Sequence, residues 1–345
     1  MDCYEGIHRS HFGCNRRRGT GDEEASGGAE LPGGEAGASG QRPERRQDRP
    51  LPWGGGHHSG SQIPIEEANE AAFQGVDLVL GAAENEVAVR FAPAIRAAGA
   101  VFVDNSSAFR MDPTVPLVVP EVNPQDAALH TGIVANPNCS TIITVTAIAA
   151  LNRLSPIRSM VASTYQAVSG AGVAGIGELH DQISALEAGR TPTVSAFPHQ
   201  IAYNLIPQIG GTQYEGYTSE EMKMQNEGRR LLHLPDLTVS CTCVRVPVIR
   251  SHSISATLRF DRPICVEEAR EAIAAAPGCR LMDRADEGYY PMPLEASDQD
   301  LVFVGRIRPD LTDPKGLCLW CCGDQIRKGA ATNAVQIAEL LFPAG

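Results

Sequence analysis

At 345 residues, 43% hydrophobic and 20% charged, the chain suits a globular protein of two domains with their own cores, and excludes one disordered throughout. Its formal charge of −12 argues against a nucleic-acid partner, and no stretch nears the roughly 18 consecutive apolar residues that a membrane span requires. No apolar segment follows the basic residues near the N-terminus, so no secretory signal is expected and the reading is cytoplasmic.

The ten cysteines are not spaced as a disulfide framework. Several lie in apolar runs (Cys241 and Cys243, then Cys318, Cys321 and Cys322), which fits reduced, buried thiols. Cys318 and Cys321 have C-x-x-C spacing, but no second ligand pair follows and no metal site is expected. Lysine occurs only at 223, 315 and 328, against 26 arginines, so each lysine is a pointed choice.

In chain order, residues 1–62 stand apart. They hold no Val, no Lys and only Ile7 as Ile, and 14 of the first 60 residues are Gly. Neither a 2-residue nor a 3.6-residue apolar period runs through them, so disorder is the expectation. Order is expected from Ile63. Val76–Leu80 reads as a strand, 86–98 as a helix ending at Gly99, and Val101–Val103 as a second strand opening into the loop Asp104-Asn105-Ser106-Ser107. Strand, helix and strand within about thirty residues predict a parallel βαβ unit. Ile133–Ala135 is another short strand, stopped by Asn136-Pro137-Asn138.

An apolar helix is predicted from Ser140 to about Leu151. Longer strands follow at Met160–Val168, Val239–Val248, Ser253–Phe260, Leu301–Ile307 and Gly316–Cys322, with helices at 171–188, 266–276 and 328–342. The fold class is therefore an α/β domain followed by an α+β domain with a mixed sheet, with the last helix returning to the first domain.

Cys139 begins the apolar helix after the Asn136-Pro137-Asn138 loop. A thiol there is favoured as thiolate by the helix dipole, and the same backbone N–H groups suit an oxyanion. It is either a nucleophile or a buried cysteine at a helix start. His252, between two strands, is a candidate proton acceptor or an ordinary solvated histidine. Arg245, on an apolar strand, needs an anion if it points inward, whether a structural carboxylate or a substrate's. Glu220 and Lys223 share a face if helical, and spacing alone favours a solvated helix capped by Ser219. Arg110 is equally ambiguous. Gln166, Ser169, Gly170 and Gly172 form a strand-end turn that a flat ligand could approach.

Six ordered segments resemble aspartate-semialdehyde dehydrogenases: 104–111 (DNSSAFRM), 136–141 (NPNCST), 164–172 (TYQAVSGAG), 220–224 (EEMKM), 245–252 (RVPVIRSH) and 324–339 (DQIRKGAATNAVQIAE). The resemblance covers roughly residues 63–345. It implies a Rossmann-like NADP-binding domain at 63–138, joined by the helix of 324–345, and a catalytic and dimerisation domain at 139–323. It implies phosphate-dependent interconversion of aspartate semialdehyde and aspartyl phosphate through a Cys139 thioester, in the synthesis of lysine, methionine and threonine. By the same resemblance His252 is the acid/base partner, and Gln166 orients the reacting group. Arg245 and Glu220 hold the substrate's carboxylate and amino group. Arg110, Asn138 and Lys223 bind phosphate, and Ser169, Gly170 and Asn333 line the nicotinamide pocket. The chain is expected to be a homodimer. The alternatives are an N-acetyl-glutamyl-phosphate reductase, a non-catalytic remnant that dimerises or binds anions, and, more distantly, a thiol hydrolase.

The resemblance also implies a strand and a glycine-rich turn at the start of the first domain. In their place Gly19-Thr20-Gly21 leads into Asp22-Glu23-Glu24, which would repel a pyrophosphate, with no strand expected ahead of it. Residues 1–62 read as an out-of-frame or foreign segment. The expectation is a domain that has lost its first part, binds NADP poorly and supports little activity.

Overall fold

The computed structural model describes the backbone of residues 9–12 and the whole of residues 65–343. Strand β1 (Arg9–Phe12) is followed by β2 (Leu78–Gly81), α1 (Asn85–Ala97), β3 (Val101–Asp104) and β4 (Ile133–Ala135). These form a four-stranded, all-parallel sheet in the order β1-β2-β3-β4. The short Val-, Leu- and Ile-rich strands are apolar on both faces because both faces are covered. Val79, Phe102 and Ile133 pack towards Phe91 and Ile95 of α1, and Leu78, Val103 and Val134 face the other way.

The presence of β1 corrects one expectation. No strand was expected ahead of Gly19, yet Arg9–Phe12 lies beside β2, with Arg9 opposite Leu78 and Phe12 opposite Gly81. A parallel ladder is made by backbone groups, so an open edge can accept a segment with little strand character in its side chains. The Gly19-Thr20-Gly21 stretch lies outside the described residues, as does the rest of 1–62 expected to be disordered.

Helix α2 (Cys139–Leu154) leaves the carboxyl end of β4 and leads to β5 (Ile157–Gln166), α3 (Gly172–Glu187), the short pair β6 (Thr212–Tyr214) and β7 (Tyr217–Thr218), and α4 (Ser219–Leu231). Then come β8 (Thr238–Arg245), β9 (His252–Phe260), α5 (Val266–Ala274), β10 (Cys279–Leu281), α6 (Pro293–Ala296), β11 (Val302–Pro309) and β12 (Gly316–Gly323). The second sheet is mixed, in the order β10-β11-β12-β9-β5-β8. A π-helical turn at Arg327–Ala331 introduces α7 (Thr332–Leu341), whose Ala334, Ile337 and Ala338 pack on Leu78, Val103 and Val134 of the first sheet.

The period of two along the second sheet explains where the chemistry ends up. On β5 the buried row is Met160, Ala162, Thr164 and Gln166; on β8 it is Cys241, Cys243 and Arg245. On β9 it runs from His252 through Ile254, Ala256 and Leu258. The apolar members of these rows join one core with α2, α4 and α5, each large side chain contributing about 1.5–3 kcal/mol by its burial. The polar members cap the same rows at one end of the sheet. β5 runs parallel to β8 and antiparallel to β9, so Gln166, Arg245 and His252 emerge together.

Candidate active site

Cys139 is the first residue of α2, and Asn138 is its N-cap. The Asn138 side-chain oxygen accepts the backbone N–H groups of Ser140 (3.0 Å) and Thr141 (3.2 Å). A cap of this kind contributes about 1 kcal/mol and fixes the entry to the helix. The Asn138 side-chain amide donates to Glu220 Oε1 at 2.9 Å, and its backbone N–H to Glu227 Oε2 at 2.7 Å. From the other side Gly329 packs on the nucleophile position: a Cβ there would lie 3.1 Å from the Cys139 Cβ. All eight described cysteines are thiols.

Glu220 and Lys223 do share a helical face, and the solvated-helix reading of them fails. The cap is Thr218, not Ser219, in a reciprocal box with Glu221, and this turns Glu220 inward. Glu220 Oε2 accepts from Lys223 Nζ at 2.9 Å, and its Oε1 accepts from Gln166 Nε2 at 3.2 Å as well as from Asn138. Burial alone would raise the Glu220 carboxyl. The Lys223 ammonium and the hydrogen bonds from Lys223, Asn138 and Gln166 outweigh it and bring the group to about 2. Thr164 Oγ1 in turn donates to Gln166 Oε1 at 2.9 Å, which fixes the amide's orientation.

Arg245 does point inward. Its Nη1 donates to Ala167 O at 2.6 Å, its guanidinium lies 5.9 Å from the Phe197 ring centroid, and no carboxylate pairs with it among the described residues. Burial pulls the guanidinium below its ordinary value, and the charges of Cys139 and Glu220 oppose that fall. A buried cation spent on one carbonyl and one ring is suited to an incoming anion.

His252 is not solvated but wholly buried at the start of β9. Its Nδ1 accepts the Ala167 backbone N–H at 3.1 Å, while Nε2 has no partner among the described residues. Burial, reinforced by Arg245, lowers its pKa to about 3. With Nδ1 taken up as an acceptor, the neutral ring carries its proton on Nε2 and presents it as a donor.

The turn after β5 runs through Val168–Ala171 into Gly172, at φ 78°. A Cβ on Gly170 would stand 2.7 Å from Arg245 Nη1 and 3.4 Å from His252 Nε2, so the absent side chain lets this turn lie over both groups without displacing the guanidinium. Ser169 Oγ accepts from Gln325 Nε2, and Gln325 Oε1 accepts the Ser251 backbone N–H at 2.8 Å. Arg110 is buried, donating to Asn105 O at 2.8 Å and to Glu227 Oε1 at 3.3 Å, with its Nε unpartnered among the described residues.

Asn333, which the resemblance places at the nicotinamide pocket, sits beside the Asn136–Asn138 loop. It is wholly buried, donating to Val118 O (3.0 Å) and Asn136 Oδ1 (2.6 Å) and accepting from Lys328 Nζ (2.9 Å). It supports the Asn136–Asn138 loop from behind. Lys328 is wholly buried too, and also donates to Glu121 and to Gln336.

Sequence reasoning missed Glu227, Glu121, Gln325 and the Ala167 peptide. Two signals were available. Glu227 is seven residues from Glu220, on the same helix face, and Lys328 is one of only three lysines.

Comparison with known proteins decides the family. A family model for the semialdehyde dehydrogenase dimerisation domain matches residues 148–328, and the semialdehyde dehydrogenase NAD binding domain matches 38–130. The aspartate-semialdehyde dehydrogenase of Synechocystis is 50% identical over 286 residues, 83% of this chain and 85% of that protein. The chain belongs to the aspartate-semialdehyde dehydrogenase family. Among solved structures, aspartate-semialdehyde dehydrogenase II of Vibrio cholerae complexed with ASA aligns with a TM-score of 0.81 at 39% identity, covering 86% of this chain and 87% of that one. The Candida albicans aspartate-semialdehyde dehydrogenase with NADP aligns at 0.61 and 25% identity, covering 77% of each chain. For an aspartate-semialdehyde dehydrogenase the two-domain α/β architecture is the one found in these relatives. The NAD binding match begins at residue 38, so it takes in residues 38–62, which the sequence reading set outside the resemblance.

Proposed function

We propose that this chain is an oxidoreductase of amino-acid biosynthesis that interconverts L-aspartate 4-semialdehyde plus phosphate and L-4-aspartyl phosphate, with NADP as cofactor. The observation that carries the reading is the convergence of the Cys139 helix start, Gln166, Arg245 and His252 at one end of the second sheet. The largely exposed Gly170–Gly172 turn beside His252 and Arg245, with no bulky side chain, fits a flat nicotinamide. NADP, when bound, supplies the hydride acceptor for the step between thiohemiacetal and thioester.

The roles follow from charge and geometry. The Cys139 sulfur, at a helix N-terminus, adds to the aldehyde carbon, and the charge that develops on oxygen faces the free end of the helix and the Nε2–H of His252. Arg245 holds the substrate carboxylate in a fork, and Glu220, charged at neutral pH, holds its ammonium. Lys223, Asn138 and Arg110 bind phosphate. Phosphate oxygen then adds to the thioester carbon, the C–S bond breaks, and aspartyl phosphate leaves as the sulfur regains its electron pair. Gln166 orients the acyl oxygen. Ser169 and Gly170 flank the cofactor, and Asn333 acts through Asn136.

We place the enzyme in lysine, methionine and threonine synthesis, in the cytoplasm, as a homodimer. The outer face of the second sheet supports the dimer. Val161 is exposed there, and Tyr165, Val244 and Trp320 are half-exposed, an apolar group suited to an interface. No helix among the described residues is long and apolar enough to cross a membrane.

The test is phosphate-dependent NADPH formation from aspartate semialdehyde, with Cys139→Ala as control. Activity abolished in the control supports the reading. Preferential turnover of N-acetyl-glutamate semialdehyde would overturn the substrate assignment.

A further inference from the structure

Glu227 is 1% exposed, and nothing in its sequence context marks it beyond its place on the buried face of α4. Its two carboxylate oxygens are divided between two groups. Oε2 accepts the backbone N–H of Asn138 at 2.7 Å, one residue before Cys139, and Oε1 accepts from Arg110 Nη1 at 3.3 Å. Asn138 is thereby held by two carboxylates from one helix, Glu227 on its backbone and Glu220 on its side chain. Each has its own cation, Arg110 for Glu227 and Lys223 for Glu220. A carboxylate this deep is costly unless paired, so its retention needs a use for the charge. A neutral acceptor would satisfy the Asn138 N–H alone. A carboxylate does this and also neutralises the guanidinium that it anchors.

We propose that Glu227 is a positioning residue that ties the nucleophile's helix cap to the anion-binding guanidinium of Arg110, so that Cys139 and the phosphate subsite are held in one fixed relation. The phosphate half rests on the function proposed above, whereas the Cys139 half does not. Arg110 spends Nη2 on Asn105 O and Nη1 on Glu227, and its buried Nε has no partner among the described residues. Glu227 thus orients the fork as well as neutralising it before the phosphate arrives.

Two variants separate the halves. Glu227→Gln is isosteric: its carbonyl still accepts from Asn138 N–H, but its amide places a donor against Arg110. Glu227→Ala removes both contacts. Two readouts are needed on the full-length chain: the rate of Cys139 carboxamidomethylation by iodoacetamide across pH, located by peptide mass, and the KM for inorganic phosphate against kcat. The expected result is a phosphate KM raised at least fivefold in Glu227→Gln, with Cys139 alkylation within twofold of the parent. Glu227→Ala should in addition change the alkylation rate at least fivefold or move its pH midpoint. If both variants keep the parent's alkylation profile and phosphate KM while only thermal stability falls, Glu227 is merely a structural carboxylate and the proposal is overturned. Should Glu227→Ala not fold, Glu227→Gln decides it, since an unchanged phosphate KM there refutes the tie to Arg110. If the parent chain shows no phosphate-dependent turnover, the function reading fails separately, and an unaltered Cys139 alkylation profile in Glu227→Ala still overturns the tie to the nucleophile.

Discussion

The imidazole Nδ1 of His252 accepts the backbone N–H of Ala167 at 3.1 Å, and this one bond sets which proton the ring carries. An imidazolium has no acceptor, so protonating His252 would orphan a buried N–H as well as bury a charge beside Arg245. With the pKa lowered from 6.5 to about 3, the folded state binds fewer protons than the unfolded one between those values. The associated stability is complete above about pH 6.5 and is lost as pH falls towards 3. Urea denaturation of His252→Gln between pH 7 and 4 should therefore show a flatter decline than the parent chain. Its kcat should fall roughly 10²–10³-fold, as for loss of one oxyanion donor. A kinetic pKa near 6 that disappears in His252→Gln would contradict the neutral-donor assignment.

A Cβ on Gly170 would collide with Arg245 Nη1 and press closely on His252. Gly170→Ala should push the guanidinium from its place, raising the KM for the semialdehyde and lowering kcat/KM at least about tenfold, a loss of about 1.4 kcal/mol. Steady-state kinetics against the melting temperature is the check. An unchanged KM would show that Arg245 does not hold the substrate.

Glu220 is charged down to about pH 2 because Lys223, Asn138 and Gln166 all face it. A depressed carboxylate contributes stability above its unfolded value of 4.5, and that contribution is lost as pH falls through about 2. Glu220→Gln should thus weaken the pH dependence of stability between 4.5 and 2, by on the order of 3 kcal/mol across the window. It should also raise the KM for the amino-bearing substrate at neutral pH. Chemical denaturation at several pH values and substrate titration read the two effects.

Lys328 has no exposed surface and gives its protons to Glu121, Asn333 and Gln336. Lys328→Met leaves the Glu121 carboxylate buried without its cation, at a cost of about 3–5 kcal/mol. The double variant with Glu121→Gln should recover part of the loss, because no charge is then stranded. Denaturant midpoints of the two variants measure the difference, and equal losses in both would refute this account.

Val161 is 57% exposed on the outer face of the second sheet. Val161→Asp should leave the chain folded and shift it from dimer to monomer in sedimentation velocity, because a paired charge on each side of a symmetric interface opposes association. A parent chain that sediments as a monomer would refute the homodimer.

The sequence alone determined what is local. The βαβ unit, the strand alternation that groups Ile254, Ala256 and Leu258, and the cysteine at a helix start can each be read from a window of a few residues, because periodicity and capping are short-range. It also located the residues with chemistry to offer. The tertiary structure decided their states. Glu220 looked like part of a solvated helix until the Thr218 cap turned it towards Asn138, 82 residues away. His252 could have been a solvated loop residue until the fold buried it against Ala167, 85 residues away. Glu227 had no visible role until Asn138 met it across 89 residues, and the bond from Asn333 to Asn136, 197 residues away, was equally out of sight. Charge state and proton position depend on burial and on the partners that burial supplies. Those partners come from different strands and helices, so no local stretch of the chain contains the answer.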